Sequence, residues 1–94
     1  MIDFNMNRRP EYLKNVGKRI RKVRILRKLS QNELAKRCGY KSRSAINKIE
    51  TGINDVPIYK LKIITEMLNI DVTIILNENE FNNFYENNRS NLNL

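Results

Sequence analysis

Between Ser30 and Gly52 the chain carries two helix starts and two helix stops in twenty-three residues, and that punctuation constrains the fold more than any other feature. Ser30-Gln31-Asn32-Glu33 has the form of a capping box, in which the serine hydroxyl accepts from the Glu33 N–H and the Glu33 carboxylate reaches back to the Ser30 N–H. The spacing predicts a short helix from Gln31 to Cys38, with Leu34, Ala35 and Cys38 on its inner side. Gly39 follows as a terminator able to adopt a positive φ. Tyr40-Lys41 continues the turn, and Ser42 is a second N-cap candidate. The next helix, from Arg43 to about Glu50, turns Ile46 and Ile49 inward and Arg43, Ser44, Asn47 and Lys48 outward before Gly52 stops it.

A longer helix precedes this pair. Pro10 suits a first helical position, where a missing N–H costs nothing. From there Tyr12, Leu13, Val16, Ile20, Val23 and Leu26 recur at helical spacing, while Lys14, Lys18, Arg21, Lys22 and Arg24 occupy the other faces. Arg27 falls on the apolar side, where a helix-end arginine can snorkel. Two short helices joined by a glycine-containing turn and preceded by a basic helix describe a helix-turn-helix unit.

With 94 residues the chain is expected to form one domain. It has no histidine and a single cysteine, Cys38, which excludes an internal disulfide, a Cys/His zinc cluster and any triad needing an imidazole base. No nucleophile–base pair, metal cluster or phosphate loop is visible, so the reading is not an enzyme, with no cofactor and no metal. No apolar window is long enough to span a membrane, and Met1-Ile2-Asp3-Phe4-Asn5 is no signal peptide, so a cytoplasmic protein is expected. Charge is unevenly placed: residues 8–48 hold fifteen of the eighteen basic residues against only Glu11 and Glu33. Such an asymmetry points to a polyanion facing the first half, most often nucleic acid. The plainer alternative is a solvated basic helix face.

The run Ser30-Gln31-x-Glu33-Leu34-Ala35, then Gly39, then Ser42-x-Ser44-x-Ile46-x-x-Ile49-Glu50-x-Gly52 resembles the Cro/repressor-type (XRE) helix-turn-helix family over roughly Val16 to Ile70. The resemblance implies that the second helix crosses the phosphate backbone of DNA and the third lies in the major groove. By position it implies a DNA-binding set of Gln31, Lys41, Ser42, Arg43, Ser44, Asn47, Lys48 and Thr51. Gln31 and Ser42 would hold phosphates, and Arg43, Ser44 and Lys48 would face base edges with Asn47 beside them. Arg24 and Glu50 match a pair that forms an internal salt bridge in relatives. Two departures stand out. The turn Gly39-Tyr40-Lys41 is one residue longer than relatives usually have, which bears on the angle of the third helix. Lys28 occupies a slot where relatives often carry a helix-ending glycine, a strained choice in a left-handed conformation. The chemistry suits the outward residues: Arg43 offers a planar fork for guanine, Asn47 can bond adenine bidentately, and Lys48 reaches guanine or phosphate. Ala35, Cys38, Gly39, Ile46 and Ile49 read instead as core and turn.

Past the loop Ile53-Asn54-Asp55-Val56, Pro57 is expected to start a fourth helix ending near Leu68, with Asn69 as its turn residue. Ile58, Leu61, Ile64, Thr65 and Leu68 share a core face, and Tyr59, Ile63 and Met67 form a second stripe, either a contact surface or partly covered by the tail. Val72-Thr73-Ile74-Ile75-Leu76 is rich in β-branched types and reads as a strand with no partner inside the molecule. Pairing with its own copy across a two-fold axis would resolve that, making these five residues a dimer interface. Residues 77–94 hold eight asparagines with Phe81, Phe84 and Tyr85 interleaved, and read as a mostly disordered tail or a short partner-binding segment.

The expected fold is thus mainly α, a four-helix Cro/repressor-like domain with a C-terminal β-strand that pairs across a dimer. Its parts are an N-terminal arm (1–9), the helix-turn-helix domain (10–70), a dimerisation strand (71–77) and an Asn-rich, largely disordered tail (78–94). A helix-turn-helix followed by a terminal strand is similar to the HipB-type antitoxins. That similarity implies a homodimer on an inverted-repeat operator in double-stranded DNA, autoregulation of its operon, and a HipA-like kinase toxin as partner, with no membrane. The alternatives are a phage repressor or restriction-control regulator without a toxin, and a protein-interaction adaptor that binds no DNA.

Overall fold

A computed structural model describes residues 8–92. The arm expected over residues 1–9 lies outside the described residues except for Arg8 and Arg9, which open the first helix. Six helices follow in order: α1 (Arg8–Leu26), α2 (Gln31–Arg37), α3 (Arg43–Glu50), α4 (Ile58–Met67), α5 (Val72–Leu76) and α6 (Glu78–Asn88), then a 3₁₀ turn (Arg89–Leu92).

The helix ends obey one rule. After α1, α2, α3 and α4 the chain closes a Schellman motif, with the left-handed residue at Lys28, Gly39, Gly52 and Asn69 respectively (φ 59°, 77°, 79° and 57°). At each end the following N–H groups return to carbonyls of the last turn. After α2, for instance, Gly39 N–H reaches the Lys36 carbonyl at 3.2 Å and Tyr40 N–H reaches that of Ala35 at 2.9 Å. Four sharp reversals of this kind let short helices stack around one core. That core takes Val16, Ile20 and Val23 from α1, Leu34 and Ala35 from α2, Ile46 and Ile49 from α3, and Leu61 and Ile64 from α4. Ile20, Leu34, Ile46 and Ile64 are wholly enclosed. Each such side chain contributes about 1.5–3 kcal/mol of burial. Cys38 is buried with them, and its desolvation pushes the thiol pKa up, as befits a packed rather than a reactive cysteine. Ile58, expected on the core face, is exposed: it opens α4 one turn before Leu61, where the cover ends. Tyr59 and Met67 of the second stripe are open, whereas Ile63 packs on the core edge.

The C-terminal third differs from the expected architecture. Val72, Thr73, Ile74, Ile75 and Leu76 form the helix α5, and among the described residues there is no strand, so the self-pairing β-interface is overturned. Three contacts explain why β-propensity loses. Asp71 caps the segment, its Oδ1 accepting from the Thr73 N–H at 2.9 Å and from the Thr73 hydroxyl at 2.8 Å. Helical spacing drives Ile75 wholly into the core. The Arg19 guanidinium then donates to the Ile75 carbonyl at 2.9 Å, satisfying an acceptor at the helix end. A helix satisfies the backbone locally, which a lone strand cannot do.

Where it is described, the Asn-rich segment forms α6 and the 3₁₀ turn after it. Asn77 caps α6 by accepting from the Glu80 N–H at 2.9 Å, and Phe81 closes the core at 4% exposure. Phe81 stacks on Tyr85 with ring centroids 5.6 Å apart, while Lys22 of α1 and Arg27 just after it lie over Tyr85 and Phe84 at 5.1 and 5.7 Å. Phe81 thus joins the same buried core as the helices before it.

Candidate nucleic-acid interface

The interface is built on α2 and α3, and α1 holds them. Gly17 of α1 faces the carbonyls of Ile49 and Glu50 so closely that any side chain there would overlap them. About two turns further along α1, Arg24 bridges three elements. Its Nε and Nη2 donate to the two carboxylate oxygens of Glu50 at 2.6 and 3.0 Å, and its Nη1 donates to the Leu29 carbonyl at 2.8 Å. Both side chains are buried, at 10% and 1% exposure, so the pair sits where charge–charge attraction is least screened. The bidentate grip fixes the C-terminal end of α3 against α1 and the α1–α2 turn, as the family resemblance implied.

Gln31 extends the network to α2. Its Nε2 donates to Glu50 Oε1 at 3.0 Å and to Asn47 Oδ1 at 3.2 Å. The first residue of α2 thus touches the middle and the end of α3, and the amide of Asn47 is oriented from beneath. The capping box forms in full: Glu33 N–H donates to Ser30 Oγ at 3.0 Å, and Ser30 N–H to Glu33 Oε1 at 2.9 Å. These bonds to the Ser30 backbone and hydroxyl hold the Glu33 carboxyl below its ordinary pKa.

The face of α3 turned away from this scaffold is open. Arg43, Ser44, Asn47 and Lys48 are exposed, while Ile46, Ile49 and Glu50 are buried. Lys41 and Ser42 are exposed in the turn before α3, and Thr51 is exposed at its end. Ser42 occupies the N-cap position without capping α3, since its hydroxyl pairs with that of Ser44 at 2.9 Å. Thr51 folds its hydroxyl back onto the Asn47 carbonyl at 2.8 Å. Of the expected residues, Gln31 is the one half-buried, because it serves the Glu50 network. The longer turn is filled by Tyr40, which packs on the core edge under the Lys60 ammonium 4.5 Å from its ring.

Electrostatically this face carries one sign. Glu50 is the sole acid of α3, and it is buried and matched by Arg24. The ion pairs among the described residues are Arg9–Asp55, Arg24–Glu50 and Arg89–Glu86, so Lys41, Arg43 and Lys48 form no salt bridge there. Among the described residues no cluster of His, Cys, Asp or Glu could hold a metal, and no helix is long and apolar enough to cross a membrane.

Sequence reasoning placed the outward row of α3 but missed Gly17 and the bridging role of Gln31. A glycine at a mid-helix position was the available signal for the first, since glycine there weakens a helix unless something approaches closely. Nothing in the pattern signalled the second.

A family model described as Helix-turn-helix matches residues 20–75, more than half of the chain. No curated protein and no solved structure matches it. The matched span takes in the end of α1, the capping box, the turn, α3, α4 and α5, and that family is one of DNA-binding regulators rather than enzymes. The chain belongs to the Cro/repressor-type (XRE) helix-turn-helix family, as a DNA-binding regulator.

Proposed function

We propose that the chain is a sequence-specific transcriptional repressor that lays α3 in the major groove of double-stranded DNA. One observation carries the reading: an exposed row of Arg43, Ser44, Asn47 and Lys48, free of acids, on a helix whose opposite side is bolted to α1 and α2. Arg43 presents two parallel donors to guanine O6 and N7, and Asn47 presents a donor and an acceptor to adenine. Lys48 reaches guanine or phosphate, and Ser44 bonds only at close approach. Lys41, Ser42 and Thr51 flank the row and serve phosphates, with Gln31 at the crossing of α2. Repression follows from occupancy of the site. Work in the cytoplasm and two copies on an inverted-repeat operator belong to the same reading, the second drawn from the geometry of dimeric helix-turn-helix proteins.

The similarity to HipB-type antitoxins rested on a terminal strand. That segment is α5, and nothing else in the chain favours a HipA-like kinase partner over a phage repressor or restriction-control regulator. Selection of bound sequences from a random duplex pool tests the proposal. A shared motif supports it, a motif repeated in inverted orientation reports two copies, and recovery of random sequence contradicts sequence-specific binding. An adaptor would retain no duplex even at low salt.

A further inference from the structure

The basic residues of α1 sort by flank. Toward α5 and α6, Arg19 and Lys22 of α1 and Arg27 just past its end have internal tasks. Arg19 donates to the Ile75 carbonyl at 2.9 Å, Lys22 lies over Tyr85, and Arg27 donates to the Leu68 carbonyl at 2.8 Å while its guanidinium covers Phe84. On the side toward α3 the sequence Lys14, Gly17, Arg21, Arg24 runs at spacings of three and four, a single helical flank, and Lys28 follows in the turn after α1. Gly17 and Arg24 are the two residues of that flank that hold the end of α3. Lys14 lies against Gly52 just after α3 ends, and Lys28 lies two residues before the cap of α2. Lys14, Arg21 and Lys28, with Lys18 beside them, are exposed and make no ion pair among the described residues.

A merely solvated face would mix the two signs of charge. Here four cations stand against one acid, Glu11 in the first turn of α1, and the like charges at i, i+3 and i+4 repel by a few tenths of a kcal/mol per pair. The row borders the ends of both helices of the reading unit.

We infer that Lys14, Lys18, Arg21 and Lys28 form a second phosphate track, which takes the sugar–phosphate backbone of duplex DNA alongside the stretch met by α3. The inference rests on the proposed DNA binding and lengthens its footprint. At 1.5 Å rise per residue, Lys14 to Arg21 covers about 10 Å, the axial length of roughly three phosphates on one strand.

The test is the salt dependence of binding to a long random-sequence duplex, measured for the full chain and for Lys14→Gln/Lys18→Gln/Arg21→Gln. These side chains are exposed, and an unchanged circular dichroism melt confirms that the variant is folded. Each lost phosphate contact removes about 0.9 from the log–log slope, so the triple variant should be shallower by about 2 to 3. Lys22→Gln, whose ammonium lies over the Tyr85 ring, should leave the slope where it was. A triple variant with the wild-type slope overturns the track. A wild-type slope near zero is a different result, which removes DNA binding altogether. Vesicles containing phosphatidylserine complete the set: loss of vesicle binding in the triple variant with an unchanged DNA slope would assign the row to a membrane surface and overturn the inference.

Discussion

Gly17 lies against the main chain of Glu50, so that a methyl group added to the glycine would sit 2.5 Å from the Glu50 carbonyl oxygen. The end of α3 is therefore seated on α1 by the absence of a side chain, and the neighbour is backbone that cannot turn aside. Gly17→Ala gains about 1 kcal/mol of helix propensity but forces the helices apart, an overpacking cost of about 1–3 kcal/mol. Urea unfolding should show a net loss of stability. A gain of the propensity value would mean that α1 and α3 are not in contact there.

Arg24 and Glu50 form the second fastening. Glu50→Ala leaves a buried guanidinium with only the Leu29 carbonyl, at a cost of about 3 kcal/mol, and should loosen α3 as well as the domain. Replacing both by apolar residues, Arg24→Met with Glu50→Leu, should cost less than the sum of the single changes. A double-mutant cycle in urea measures this, and additive losses would show that the two charges do not interact.

Lys28 adopts φ 59°, a left-handed conformation in which a side chain costs about 1–2 kcal/mol. Glycine relieves that strain and gives back part of it as unfolded-chain entropy. Lys28→Gly should raise stability by roughly 0.5–1 kcal/mol, read as a higher urea midpoint with unchanged slope. A lower midpoint would show that the lysine side chain contributes contacts outweighing its backbone strain.

Two exposed caps set the acid limb of stability. Backbone and hydroxyl hydrogen bonds from Ser30 lower the pKa of Glu33, and those from Thr73 lower that of Asp71. A carboxyl with a depressed folded pKa stabilises the fold above its unfolded value, near pH 4, and loses that contribution as pH falls through the folded value. Stability should therefore decline on acidification below about pH 4.5, and Glu33→Gln with Asp71→Asn should flatten the decline. Urea midpoints across that range decide it, and an equal slope in wild type and variant would show that the caps do not titrate with folding.

The first two thirds of the domain were legible because their signals are local. The Ser30–Glu33 box, Gly39, Gly52 and Asn69 act within a turn of themselves, and the Arg24–Glu50 pair came with the family pattern. Val72–Leu76 misled because β-branching is a weak preference. Burial of Ile75, the Asp71 cap and the Arg19 bond to the Ile75 carbonyl come from elsewhere in the chain and outweigh it. In the tail, asparagine content hid a helical spacing, Phe81-Phe84-Tyr85, that buries one ring and lays the others under Lys22 and Arg27. Within the interface the outward row was visible from periodicity, whereas the Gln31 bridge depends on how α2 crosses α3 and no periodicity encodes a crossing.

The most direct measurement is an NMR titration of the labelled chain with duplex DNA carrying a selected motif. The largest perturbations should fall on Gln31, on residues 41–48 and on the Asn47 side-chain amide, with smaller ones at Lys14, Lys18 and Arg21, while α6 stays unmoved. Perturbations confined to Tyr59 and Met67 or to α6, or none at all, would contradict the assignment of α3 as the DNA-reading element.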